Sequence, residues 1–142
     1  MLKIEKIKPV ATRMLVTGEK FKEDMFSEQG LIEDKKGDLK CYQTVLEVGP
    51  MVRDIKPGDK VMIDFSHYAV YQYDPNSIKG DMGMQKVKGY KFNWIDVYSK
   101  DGKVQECLYI DQQDVIFVFE GDEVQGKKSP IIIPEKANKI LS

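Results

Sequence analysis

The sequence predicts an all-β protein, on three observations. Seven short stretches carry β-branched and aromatic residues in alternation with polar ones, turn-forming residues separate them, and helical periodicity is nearly absent. A chain of 142 residues holds one hydrophobic core, so a single domain spanning 1–142 is expected. Many short strands in so small a domain predict a closed or nearly closed antiparallel barrel rather than βαβ units.

The first strand is expected over residues 4–17, interrupted near Pro9. The stretch from Leu2 to Lys8 alternates apolar and charged residues and lacks the continuous apolar core of a signal peptide. A second strand is expected over 39–48, and it ends at Gly49. The third, over 60–65, is launched from Lys56-Pro57-Gly58-Asp59, where Pro57 sets φ and Gly58 supplies the positive φ of a type II turn. Pro57, Gly58 and Asp59 are therefore structural turn residues. Further strands follow over 68–73, 88–98, 104–110 and 115–120, with Asp101-Gly102 marking a hairpin turn. Val45, Val48, Val61, Ile63, Val115 and Phe117 are expected in the core.

Three segments depart from this compact pattern. Residues 17–40 hold twelve charged side chains around Phe21, Met25, Phe26, Leu31 and Ile32, a composition that reads as a flexible or partner-binding loop whose isolated apolar residues suit a groove on another protein. An insertion over about 72–106, expected as a hairpin or lid, contains a Gly- and Met-bearing excursion. A C-terminal extension over 121–142 includes Pro134, which suits the first turn of a short helix.

Charge and motifs narrow the function classes. With 22 basic and 23 acidic residues the formal charge is −1, so neither a nucleic acid nor an anionic membrane is an expected partner. The longest apolar run, from Val115 to Phe119, is far shorter than the roughly 20 residues that span a bilayer. Cys41 and Cys107 lie in strand-like stretches, which predicts buried thiols, a reducing compartment and a cytoplasmic location rather than a disulfide. His67 is the single histidine. It is read as a turn or surface residue, because a metal site or catalytic triad needs companions that the spacing does not supply. The aspartates at 59, 64, 111 and 114 sit beside strands, where Asp satisfies backbone donors. The glycines lack the Gly-Lys-Ser/Thr ending of a phosphate loop. No cofactor, no metal and no catalysis are expected. Tyr90, Phe92, Trp94 and Tyr98 share one parity, which reads as a core or protein-contact face.

Taken in order, Pro9-Val10-Ala11-Thr12-Arg13-Met14-Leu15-Val16, Tyr42-Gln43-Thr44-Val45-Leu46-Glu47-Val48-Gly49, Ile55-Lys56-Pro57-Gly58-Asp59-Lys60-Val61, Leu108-Tyr109-Ile110 and Asp114-Val115-Ile116-Phe117-Val118 resemble the GroES-type (chaperonin-10) co-chaperonins. The resemblance implies a GroES-like irregular antiparallel β-barrel, self-associated into a seven-membered ring that caps an ATP-driven chaperonin chamber and assists protein folding. It also implies that an aliphatic triplet in the loop after the first strand enters the chaperonin rim. Gly30-Leu31-Ile32 is the nearest match, with Phe26 as a helper. The alternative is a structural component of a larger assembly, such as a phage or virion, that reuses the same barrel.

Overall fold

The computed structural model describes residues 1–73 and 85–126. The protein is all-β, with every strand pair antiparallel. Among the described residues the strands are β1 (Arg13–Thr17), β2 (Met25–Phe26), β3 (Ile32–Asp34), β4 (Tyr42–Val48), β5 (Lys60–Ile63), β6 (Ala69–Tyr73), β7 (Gln85–Tyr90), β8 (Trp94–Tyr98), β9 (Val104–Asp111) and β10 (Val115–Phe119). Two compact units result. One comprises Met1–Gly18 with Cys41–Phe119, and the other Glu19–Lys40 with Glu120–Ser142.

The larger unit is built on a six-stranded sheet in the order β10-β5-β4-β1-β9-β8. β1 lies near its middle. Met14 stands opposite Val48 of β4 and Ile110 of β9, and Met14, Leu15, Val16 and Thr17 are all buried. A strand buried at consecutive positions is covered on both faces, and its unbroken Met-Leu-Val run is the sequence form of that environment. Val45, Val61, Ile63, Leu108 and Ile110 complete the core from the neighbouring strands. The polar intrusions are satisfied: the Thr17 hydroxyl donates to the buried Gln43 Oε1 at 2.8 Å and accepts from the Thr44 amide at 3.0 Å.

The turn before β5 forms as the sequence predicts. Gly58 has φ +98°, Asp59 N–H donates to the Lys56 carbonyl at 3.1 Å, and the Asp59 carboxylate accepts from Lys56 N–H at 2.9 Å. Between β8 and β9, the Ser99 amide bonds the Lys103 carbonyl and the Gly102 amide bonds the Ser99 carbonyl. Asp101-Gly102 thus lies in the predicted hairpin connection.

Some expectations are corrected. Phe117 is 50 % exposed, and Val48 and Val115 are only half-buried. For Phe117 and Val115 the cause is position: β10 is the last strand of the sheet and pairs among the described residues with β5 alone, whereas Val48 is the final residue of the interior strand β4. Cys41 is exposed while Cys107 is buried, and neither forms a disulfide. Burial pushes the Cys107 thiol pKa up to about 11. The strand expected over 88–98 is two strands, because β7 pairs with β6 in a separate ribbon while β8 joins the main sheet. The expected helix at Pro134 and the Gly- and Met-rich part of the insertion lie outside the described residues. Among the described residues, no helix is long and apolar enough to cross a membrane.

Candidate functional site

The smaller unit contains the segment read from sequence as a loop, and in it the chain forms a hairpin. Lys20 bridges Leu39, the Phe21 amide donates to the Asp38 carbonyl at 2.9 Å, and the Lys40 amide donates to the Glu19 carbonyl at 3.0 Å. Phe21 is buried, and the Lys40 ammonium lies 5.4 Å from its ring centroid. Farther out, Met25 pairs with Asp34 and Phe26 with Ile32. The tip is a tight turn: Ser27 N–H donates to the Leu31 carbonyl at 2.8 Å and Gly30 N–H donates to the Ser27 carbonyl at 3.0 Å. Gly30 has φ +85°, which suits glycine.

This geometry places the predicted anchors together. Leu31 is 68 % and Ile32 53 % exposed, side by side directly after the turn, and Glu33 next to them is also exposed. Phe26 is half-buried on the facing strand and Gly30 closes the turn. Pro57, Gly58 and Asp59 belong to the larger unit as turn formers, so they shape the sheet and are no part of this hairpin. Residues 120–126 were absent from the site as read from sequence, yet they bond to the hairpin. Gln125 Nε2 donates to the Asp24 carbonyl at 2.7 Å, Gln125 Oε1 accepts from Phe26 N–H at 2.6 Å, and Glu123 pairs with Lys40. A groove of about 490 Å³ in this unit is lined by Lys20, Lys22, Met25, Lys40, Glu123 and Gln125. Sequence carries little sign of this arrangement, because about a hundred residues separate the partners.

The larger unit holds a cluster of ionisable side chains around Asp114. A 3-10 turn at Phe65–Tyr68 is capped by Asp64, whose carboxylate accepts from Ser66 N–H at 2.9 Å. A second, at Gln112–Asp114, is capped by Asp111, and Asp114 accepts in return from Asp111 N–H at 3.2 Å. Asp114 is 3 % exposed. Its carboxylate accepts from His67 Nδ1 at 2.5 Å and from the Tyr68 hydroxyl at 2.6 Å, joining the two turns. The His67 side chain is 60 % exposed beside a shallow cleft of about 230 Å³. The hydrogen bond to Asp114, followed by its charge, raises the His67 pKa. Burial raises that of Tyr68. His67 is thus a turn histidine as predicted, and its role is to tie one turn to another. Among the described residues no group of three or more His, Cys, Asp or Glu side chains could hold a metal ion.

Of the predicted aromatic face, Tyr90, Phe92 and Trp94 do cluster, with Tyr90 stacked on Phe92 at 5.8 Å and Phe65 and Tyr68 packed beside them. Tyr98 instead lies under the Lys3 ammonium. Comparison of the sequence with protein-family models and with curated proteins finds no match.

Proposed function

We propose that the protein is a co-chaperonin-like cap, a GroES-type barrel that docks on an ATP-driven chaperonin ring and assists protein folding without catalysis of its own. The observation that carries this reading is the paired exposure of Leu31 and Ile32 at the tip of an otherwise charged hairpin. Two exposed aliphatic side chains suit an apolar groove on a partner. Support also comes from the ordered run of segments that resembles the family, with the Pro57-Gly58 turn formed between β4 and β5.

Burying both side chains is worth about 3–6 kcal/mol per subunit before ordering costs. One such contact is weak, so affinity has to come from repetition around a ring. β10, with Ile116, Phe117 and Val118 exposed, is the strand on which a neighbouring subunit would pair. The seven-membered ring rests on the family resemblance alone. Sedimentation equilibrium at micromolar concentration should therefore show an oligomer, and a monomer would overturn the ring.

The direct test is capture by a chaperonin in the presence of ATP, comparing the unaltered chain with a Leu31→Asp, Ile32→Asp double variant. The expected result is ATP-dependent capture that the double variant loses, since each substitution places a charge where an apolar groove must receive it. Capture that survives the double change overturns the anchor assignment.

A second reading, a structural component of a larger assembly such as a phage or virion, is favoured by one observation. The hairpin is already bonded to residues 120–126 of its own chain, as suits an element that wraps a fixed neighbour. Absence of capture by any chaperonin, together with stable binding to a structural protein encoded beside it, would select this reading. Neither reading involves a nucleic acid, a membrane or a cofactor. Both place the protein in the cytoplasm or, for the second, in the virion.

A further inference from the structure

We infer that residues 120–126 are an intramolecular latch that holds the 19–40 hairpin in the conformation presenting Leu31 and Ile32. The inference rests on the reading of that hairpin as the partner-binding element, and it adds how the element is kept ready.

The outer strands of the hairpin are short. β2 and β3 contain two and three residues, and a two-stranded ribbon even of ordinary length is marginal in water. Pairing with β3 leaves the N–H and C=O of Phe26 for the other edge, and residues 120–126 satisfy both. Phe26 N–H donates to Gln125 Oε1 at 2.6 Å, and the Phe26 carbonyl accepts from Gly126 N–H at 3.0 Å. The Gln125 amide also donates to the Asp24 carbonyl at 2.7 Å, so one side chain supplies an acceptor and a donor as a peptide group of an added strand would. At the root of the hairpin the Lys40 ammonium pairs with the Glu123 carboxylate. Glu123 and Gln125, two residues apart, both bond to the hairpin.

Gly126 makes the fit specific. A Cβ at this position would stand 2.0 Å from the Ser27 carbonyl oxygen and 2.5 Å from its carbon. Both are backbone atoms, so no side chain can swing aside. A hairpin held this way has already lost much of the freedom that a mobile loop would surrender on docking, and binding is tighter for it.

The experiment compares the unaltered chain with its Gly126→Ala and Gln125→Ala variants by amide hydrogen exchange, then by capture on a chaperonin with ATP. Gly126→Ala displaces the segment sterically, while Gln125→Ala removes two of the bonds at an exposed position that the fold tolerates. In both variants the Phe26 amide should exchange roughly tenfold faster or more, the effect of losing two hydrogen bonds. Amides of Leu15 and Leu108 in the main sheet should be unchanged, and capture should weaken by a similar factor. Unaltered exchange at Phe26 overturns the latch, as does accelerated exchange with undiminished capture. Exchange reports on the latch whether or not a chaperonin binds, so accelerated exchange in a protein that no chaperonin captures supports the latch as a clasp while overturning the co-chaperonin reading.

Discussion

Leu108→Ala is expected to lower the unfolding free energy by about 2–5 kcal/mol. Leu108 is fully buried in β9, opposite Val16 on one side and Trp94 on the other, so the void left by truncation is walled by two neighbouring strands and cannot collapse without moving both. Urea denaturation should show an earlier midpoint at an unchanged slope. Val104→Ala, four residues earlier on the same strand but half-exposed, should stay within about 0.5 kcal/mol of the parent. A Leu108→Ala loss under about 1 kcal/mol would mean that the sheet is not packed as described.

Asp114→Ala is the second large effect, at about 3 kcal/mol. Three donors lose their acceptor: His67 Nδ1–H, the Tyr68 hydroxyl and the Asp111 amide. Most of the loss falls on Tyr68 and the Asp111 amide, because the largely exposed His67 can turn to water. The His67 arm is best isolated by pH. Its folded pKa is raised above the ordinary 6.5 by the hydrogen bond to Asp114 and then by that carboxylate's charge; Asp64 and Asp111 act in the same direction and desolvation opposes them. A raised folded pKa means that the pair's contribution is complete below 6.5 and is lost as pH rises through the raised value. The parent should therefore exceed a His67→Gln variant in stability below pH 6.5, and the gap should narrow as pH rises through the raised value. A gap that widens with pH would contradict the pairing.

What the sequence disclosed and what it hid divide along chain separation. The Lys56-Pro57-Gly58-Asp59 turn is local chemistry, and it forms as read. The strands around it were legible because β-branched residues recur at short spacing. Phe117 was misplaced because alternation looks the same on a last strand as on a central one, and only the order of strands decides which face is covered. His67 was legible as a turn residue, but not its partner forty-seven positions away. For the candidate site, the anchors Leu31 and Ile32 stood out as apolar residues in a charged stretch. The hairpin that carries them did not, since Gln125, which bonds its outer strand, lies about a hundred residues downstream.

The place of β1 in the sheet bears on how the chain matures on the ribosome. β1 is flanked by β4, which follows soon after it, and by β9, which begins only at Val104. At about 5–20 residues per second, translation separates β1 from β9 by several seconds or more. Through that interval Met14, Leu15 and Val16, the most buried stretch of the finished sheet, can be covered on one side at most. The nascent chain thus carries an adhesive strand until β9 has been made, and closing so long a loop is slow. Crowded expression at high temperature should trap it as aggregate at this stage, and slowing initiation so that nascent chains are spaced apart should recover folded protein.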